Sequence, residues 1–458
     1  MSTTRIVAEL PAKEPAGATV TFPKSLIDPW YWLMYGGIFF GIALLIHAHL
    51  HGVFIAPITR AAESHHWARV LVFPSVLWLV MGTLLLIFRT VAWMCYRPFP
   101  HVDPETAPSL TVVIPAYNEG PMVLKSIESV VRARYPRDRL EVYVVDDGSH
   151  DNTWEYIEQA ARQWPDVVHP VRFTKNRGKR AALAAGFEAA RGDVIVTIDS
   201  DSTLEPESLL AIAGPFRDPK VGAVAGKVAA YNRNEGLLPR MLHVRYILSF
   251  DVLRAVESTY RTVYCCPGAL TAYRAAVVRA VVEPWKKQRF LGAQCTFGED
   301  RALTNWILAS GYHTVYQRAA EVRTLVPTTY RQLCKMFLRW DRSYVREEIR
   351  FMKIVWKRPP LYAALALWDR LTSNLRFPVS YASLVLLAVL TREDPLILLR
   401  FLLAMGIASL FYALYYLRSE RSPAFLYGVL FTYFDAFLLF WILPYAAMTV
   451  RARSWLTR

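Results

Sequence analysis

Two stretches near the start of the chain, Trp30 to Ile46 and Val70 to Phe88, contain no charged residue at all. Each approaches the roughly 20 apolar residues that a helix needs to cross a bilayer. Trp30, Tyr31 and Trp32 at one end and Trp93, Tyr96 and Arg97 at the other have the amphipathic character of interfacial anchors. The pair reads as a membrane hairpin. Its connecting loop is poorer in Lys and Arg than its flanks, so the positive-inside rule places the N-terminus and everything from Arg97 onward in the cytoplasm. Residues 1–29 are polar and lack the apolar run and small-residue cleavage site of a signal peptide.

From about Pro108 to Pro359 short β-branched runs alternate with amphipathic stretches. Thr111–Ala116, Glu141–Val145, Val194–Ile198 and Val221–Ala225 predict strands; Pro121–Ala133, Thr153–Trp164, Lys179–Ala190 and Glu205–Ala213 predict helices. Such alternation specifies an α/β, Rossmann-like domain with a mostly parallel sheet and ligand chemistry at the strand C-termini. Beyond Pro359 and Pro360 the chain turns apolar again over Phe377–Thr391, Phe401–Leu417 and Pro423–Val450, the last broken by Asp435. An ionisable residue there must face protein or a water-filled path, or pair with an arginine at a helix end. The organisation expected is a tail over 1–29, two transmembrane helices over 30–96, the α/β domain over 97–330, amphipathic interfacial helices over 331–376 and a transmembrane region over 377–458. Three C-terminal crossings would put Arg451, Arg453 and Arg458 outside, against the positive-inside rule. A further re-entrant or interfacial element within Leu361–Arg376 would restore the parity.

Composition limits the partners. The 458 residues are 54% hydrophobic, which excludes a disordered chain, and 53 Lys plus Arg against 38 Asp plus Glu leave a net charge of +15. A basic excess suits nucleic acid, anionic lipid or a phosphorylated substrate. No nucleic-acid-binding fold motif accompanies it, so nucleic acid is not an expected partner. Cations at Arg331, Lys335, Arg339, Arg342, Arg346, Arg350, Lys353 and Lys357 recur every three or four residues, the spacing of one helix face. Lying on a membrane surface and simply being solvated both fit that stripe. Five scattered cysteines without CxxC spacing predict reduced thiols.

Candidate chemistry sits at the expected strand ends. Ile114-Pro-Ala-Tyr-Asn-Glu119 and Val145-Asp-Asp-Gly-Ser-His-Asp-Asn-Thr153 follow the first two strands, with helix capping as the competing role for Asn118, Ser149 and Asp151. Lys175-Asn-Arg-Gly-Lys-Arg180 offers glycine and cations at a helix start, suited to a phosphate or to solvent. Asp199 and Asp201 lie two residues apart at the end of a strand; on an extended backbone both would point one way and need a cation between them. Mg²⁺ or Mn²⁺ bridging a substrate diphosphate fits such oxygen donors, whereas a solvated turn needs no ligand. Asp300, in Phe297-Gly-Glu-Asp-Arg301, is a candidate general base for a hydroxyl acceptor or a helix cap.

These motifs, with Pro267-Gly-Ala-Leu-Thr-Ala-Tyr-Arg274 and Arg339-Trp340, occur in the order found in processive family 2 glycosyltransferases. The chain most resembles the hyaluronan synthases and the chitin-oligosaccharide synthases of nodulating bacteria, above all over Phe290–Asn305 and Arg339–Glu347. The resemblance implies a GT-A fold and a membrane-embedded, multi-pass protein of the cell membrane with a cytoplasmic catalytic domain. It would polymerise UDP-sugars, UDP-GlcNAc alone or with UDP-GlcA, in an inverting reaction and export the growing polysaccharide. By the same resemblance Ala116, Tyr117, Glu119 and Asp147 would hold the uridine and Lys179 would lie near the diphosphate. Asp199 would position the nucleotide, and Asp201 would bind Mg²⁺ or Mn²⁺ directly. Asp300 would be the base, Arg339 would stabilise the departing UDP, and Trp340 would stack on the acceptor sugar. Ser454–Arg458 resembles a nucleotide-proximal Trp-Gly-Thr-Arg element, with Leu456 in place of glycine.

Two positions depart from the pattern. Met336 stands where the family's Gln-x-x-Arg-Trp motif has glutamine, and Gly298-Glu299-Asp300 is nearer the chitin-type spelling than the Gly-Asp-Asp of hyaluronan synthases. Cellulose-type synthesis, a non-processive lipid-linked glycosyltransferase and a catalytically silent transport or scaffold protein are the alternatives.

Overall fold

The computed structural model describes residues 68–392 and 394–452, with isolated helical positions between 36 and 47. The N-terminal tail, most of the first expected crossing and its following loop, and Ser454–Arg458 lie outside the described residues. The second expected crossing falls within one helix, α1 (Ala68–Cys95).

The central domain is built on strands β1 (Leu110–Ala116), β2 (Leu140–Asp146), β3 (Val168–Arg172), β4 (Val194–Ile198), β5 (Ser202–Leu204), β6 (Val221–Ala230), β7 (Leu270–Arg274) and β10 (His313–Thr324), with a small hairpin of β8 (Arg289–Phe290) and β9 (Ala293–Gln294) beside it. The eight strands form one sheet in the order β3-β2-β1-β4-β7-β6-β10-β5. The half containing β3, β2, β1 and β4 is parallel, whereas β7 runs antiparallel to both neighbours and β5 antiparallel to β10. Its covering helices are α2 (Met122–Val131), α3 (Thr153–Gln163), α4 (Lys179–Ala189), α5 (Ser208–Ala213), α6 (Leu237–Ile247), α7 (Ala255–Thr259), α8 (Ala275–Lys286) and α9 (Glu299–Ala309). Val112, Val113, Ile114, Val142, Val144, Val196 and Ile198 are fully buried. A parallel sheet covered on both faces requires such unbroken apolar strands, which is why β1, β2 and β4 fall within a residue of their predicted limits.

The sequence reading contains four of the eight strands of this sheet; β3, β5, β7 and β10 are absent from it, and β6 runs beyond its expected end. β6 continues past Ala225 through Lys227, a residue that reads as a strand breaker. Its ammonium is met by Asp251 at 3.2 Å, Glu420 at 3.3 Å and Glu321 at 3.5 Å, so the strand buries a charge already surrounded by counter-charge. β10, absent from the sequence reading, pairs with β6 across a register shift between Gln317 and Glu321. That irregularity and its polar residues obscure the strand pattern.

After the sheet come α10 (Tyr330–Ile354), α11 (Pro360–Leu390), α12 (Leu396–Glu420), and a pair formed by α13 (Phe425–Phe434), the π-turn Asp435–Leu439 and α14 (Ile442–Met448). α11 and α12 are long and apolar enough to cross a membrane, and the last pair is bent by 45°. The expected separate element within Leu361–Arg376 is instead the first half of the continuous helix α11. That element is expected only to restore the parity of the crossings, and the polar residues of this stretch have partners on other helices. Asp369 accepts from Arg89 of α1, and Arg370 pairs with Glu348 of α10.

The basic stripe of α10 is likewise divided by its surroundings. Arg331, Lys353 and Lys357 are exposed, but Arg342 and Arg346 are buried. Arg346 donates to the Phe297 carbonyl at 2.6 Å, Arg342 to Thr449 Oγ1 at 3.1 Å, and Arg350 to Gln288 Oε1 at 2.7 Å while lying 3.9 Å over the Trp306 ring. This middle part of the stripe is a contact surface with the loops flanking α9 and α14, with Gln288 and with Trp306, rather than a solvated or lipid-facing one.

Candidate active site

The loops after β1 and β2 are stitched to each other. Ser149 Oγ accepts from Asn118 N–H at 3.0 Å, Asn118 Oδ1 from His150 N–H at 2.9 Å, Thr153 Oγ1 from Glu119 N–H at 2.8 Å, and Asp151 Oδ2 from Gly120 N–H at 3.2 Å. Asn152, at the N-cap position of α3, makes no side-chain cap bond, but Asp151 Oδ1 accepts the N–H of Thr153, the first residue of that helix, at 3.1 Å, so Asp151 serves both the helix start and the loop. The stitched loops form the floor beside Ala116, Tyr117 and Glu119, and a cavity of about 460 Å³ opens next to them between Gly148–His150 and Arg172–Thr174.

Asp147 closes the same floor from below. Its carboxylate accepts the N–H groups of Arg177 at 2.7 Å and Gly178 at 2.8 Å, so it orders the turn before α4. Burial pushes this carboxyl above its ordinary range, and the two amide donors partly offset the effect.

At the start of α4 the two cations part ways. Lys179 Nζ donates to Asp199 Oδ1 at 2.5 Å and lies 3.5 Å from Glu299 Oε1. Burial alone would lower this ammonium, yet Asp199 and Glu299 hold it above the usual lysine range. Arg180, grouped with it in the sequence, is turned into the core, where it donates to the Trp285 carbonyl and stacks 4.9 Å from that ring.

Asp199 and Asp201 do not sit on an extended backbone. β4 ends at Ile198, and Ser202 N–H bonds the Asp199 carbonyl at 3.0 Å to make a turn into β5. The turn gives the two carboxylates different protein partners: Asp199 faces Lys179, while Asp201 Oδ1 accepts from Ser202 and Thr324 hydroxyls, each at 3.1 Å. Gly268 leaves room above the first of them. A Cβ there would meet Lys179 Nζ at 3.0 Å and Asp199 Oδ1 at 3.3 Å.

Asp300 is the second residue of α9, not its cap; that position belongs to Gly298, with φ +69°. A Cβ at Gly298 would lie 2.3 Å from Ser343 Cβ, so the glycine permits α9 to meet α10. Glu299 points toward Lys179, joining α9 to the carboxylates of the β4 turn. From α10, half-buried Trp340 packs on Tyr246 and Phe337 at 6.3 and 5.5 Å. Arg339 and Met336 line a cavity of about 280 Å³ with Asn232, Glu235, Gln332 and Lys335. Burial drives the Tyr246 phenol upward, with Arg245 and then Arg339 opposing the effect and Asp199 adding to it. Tyr246 Oη also lies 3.9 Å from Met336 Sδ.

The structure joins Lys179 to Asp199 and to Glu299, the residue before Asp300, while Arg339 lines the cavity beside α10; Glu299, which makes the second of these connections, has no role in the sequence reading. Glu299, Gly268, Thr324 and Cys265 carry no motif of their own beyond adjacency to ones already noted.

Residues 111–282 match the Glycosyl transferase family 2 model. A hyaluronan synthase of Streptococcus pyogenes is 32% identical over 392 residues, covering 83% of this chain and 90% of that protein. An N-acetylglucosaminyltransferase of Rhizobium leguminosarum bv. viciae is 31% identical over 366 residues, covering 79% and 84%. Among solved structures, a mannosyltransferase from Pyrobaculum calidifontis, in complex with GDP-mannose and Mn²⁺, superposes with a TM-score of 0.57 at 22% identity over 80% of this chain and 99% of that one. The last supports a GT-A-like α/β fold. With strand-end carboxylates arranged as described and relatives of this identity spanning most of the sequence, the chain belongs to glycosyl transferase family 2, among the relatives of hyaluronan synthases and rhizobial N-acetylglucosaminyltransferases, and is a glycosyltransferase.

Proposed function

We propose that the protein is a membrane-embedded, processive, inverting glycosyltransferase of the cell membrane that polymerises sugars from UDP donors and exports the polysaccharide. The donor would be UDP-N-acetylglucosamine, alone or alternating with UDP-glucuronate. The observation that supports this reading is the Asp199–Lys179–Glu299 chain, whose last member is the sequence neighbour of Asp300.

In this reading Ala116, Tyr117, Glu119 and Asp147 bind the uridine, and Lys179 exchanges a carboxylate partner for the diphosphate. Asp300 takes the proton of the acceptor hydroxyl as that oxygen attacks the anomeric carbon and the bond to UDP breaks. Arg339 meets the negative charge that develops on UDP, and Trp340 offers its face to the acceptor sugar. A divalent ion, Mg²⁺ or Mn²⁺, fits the donor set: Asp201 and Asp199 supply hard carboxylate oxygens, and the missing Cβ of Gly268 leaves space beside Asp199. Such an ion would neutralise charge on the leaving group.

Product would leave along α10. Asp341, next to Trp340, is pushed up to about 6 by burial, with Asp435 adding to the effect and Arg245 opposing it. Exposed Asp435 opens the π-turn of the last helix pair. An acidic residue in that apolar segment is explained by a hydrated path for sugar hydroxyls.

The test incubates purified protein with labelled UDP-GlcNAc, with and without UDP-GlcA and with and without EDTA, and digests the product with hyaluronidase or chitinase. Polymer requiring both donors and cut by hyaluronidase supports alternation; polymer formed without UDP-GlcA and cut by chitinase supports the chitin-type reaction. Transfer of one sugar to a lipid phosphate, or no turnover of any UDP-sugar, overturns the processive reading.

A further inference from the structure

The Asp300 side chain is short, so its direction depends on what its two oxygens touch. Oδ1 accepts the N–H of Arg301 at 2.7 Å, which anchors it to its own helix. Oδ2 lies 3.7 Å from the Sγ of Cys265, within reach of a thiol donor. Cys265 and Cys266 are adjacent, buried and not disulfide-bonded, on the segment leading into β7.

The main chain is fixed at the same place. Thr304 Oγ1 accepts the N–H of Cys266 at 3.1 Å and donates to the Asp300 carbonyl at 2.8 Å. One threonine therefore bridges the two backbone segments whose side chains meet as thiol and carboxylate. Three residues beyond Cys265, Gly268 stands over the Lys179–Asp199 pair. A single loop thus touches the Asp300 carboxylate at one end and the donor-side carboxylate at the other.

Resting on the assignment of Asp300 as the base, we propose that Cys265 is a positioning residue: its thiol donates to Asp300 Oδ2 and fixes the carboxylate's orientation, while Thr304 holds loop and helix in register. The thiol is suited to this role and not to nucleophilic work. Burial, then the Asp300 charge, push it up to about 12, so it keeps its proton under working conditions. A protonated thiol beside a carboxylate has only one of the two able to donate, which fixes the polarity of the contact.

Asp300 is also faced by Lys179 from α4, Tyr273 from β7 and Arg301 from its own helix. Those groups are unchanged by substitution at Cys265, so a difference between variants isolates the thiol. A donor to a carboxylate favours its charged form, and removing it shifts the acid limb of a base-dependent rate profile to higher pH.

The test uses full-length purified protein and compares Cys265→Ala, Cys265→Ser and Asp300→Asn, with UDP affinity and thermal midpoint as checks of folding. Cys265→Ala is expected to lower kcat about threefold to tenfold, the scale of one ordinary hydrogen bond from a weak thiol donor, with donor KM unchanged and the acid limb moved upward. Cys265→Ser, which keeps a donor, should recover most of both. Wild-type kcat and acid limb in Cys265→Ala, or equal loss in the alanine and serine variants with an unmoved limb, would overturn the proposal. Should the alanine cavity prevent folding, Cys265→Val supplies a donor-free side chain that fills the space and is read the same way. Wild-type transfer by Asp300→Asn would remove the base assignment itself; an inactive Asp300→Asn beside an unaffected Cys265→Ala would remove only the role of the thiol.

Discussion

Arg89 and Asp369 stand 280 residues apart in the chain, yet Arg89 Nε donates to Asp369 Oδ1 at 2.8 Å. Arg89 also reaches Ser373 Oγ at 2.6 Å, so α1 and α11 are joined by a buried polar clasp in an otherwise apolar contact. Removing one member leaves the other charge without its partner. Asp369→Ala is expected to destabilise the protein by about 3–5 kcal/mol, read as a lowered thermal midpoint in detergent, whereas replacing both residues by leucine should recover much of that loss.

Gly268→Ala tests the space beside the β4 turn. Its new Cβ presses on Lys179 Nζ and Asp199 Oδ1 rather than on backbone, so the fold should survive while the clasp shifts. We expect donor kcat/KM to fall roughly tenfold, equivalent to about 1.4 kcal/mol, with a melting temperature near wild type. Unchanged donor kinetics would remove Gly268 from the site.

Arg339→Ala should lower turnover at least about 100-fold with UDP affinity and folding largely retained, because the charge it meets develops in the transition state. Purified Arg339→Ala with normal turnover would end its assignment. Arg350 gives the contrast: held by Gln288 and Trp306, its reversal to glutamate should lower stability more than it alters membrane association.

His243 sets an acid sensitivity. It is buried, neither ring nitrogen has a hydrogen-bond partner, and burial with Arg233 and Lys227 pushes it down to about 4. The unfolded chain therefore binds a proton between about pH 6.5 and 4 that the folded protein refuses, and stability falls as pH falls through that window. The loss attributable to this ring is on the order of 3 kcal/mol by pH 4. His243→Phe, which keeps the edge contact with Tyr416, should flatten the pH dependence of the melting temperature between 7 and 4.

The last helix pair predicts a topology. α13 begins against α6, where Gly428 faces Val244 and Arg245 lies 5.2 Å over Phe431. Tyr330 Oη of α10 donates to the Leu438 carbonyl at 2.7 Å, and Arg342 reaches Thr449. A segment tied at its start, middle and end to helices adjoining the catalytic domain is expected to return to the side it left. A cysteine at Ala452, in a Cys95→Ser background, should be labelled by an impermeant maleimide in inverted vesicles and not in intact cells.

The sequence by itself determined the strand–helix alternation, the order of the motifs and the apolar segments that flank them. Buried parallel strands must be continuous runs such as Val112–Ile114, and helices must be amphipathic at their own period, so both are written locally. Tertiary structure alone decided where the charges went. The periodicity of Arg331 to Lys357 says which cations share a face, but not that Phe297, Gln288 and Thr449 would cover Arg346, Arg350 and Arg342. In the same way, nothing near Lys227 in sequence announces Asp251, Glu321 and Glu420, and nothing near Asp300 announces the Cys265 thiol. The cost of burying a charge or fixing a carboxylate is met by groups distant in the chain, and only the folded arrangement brings them within reach.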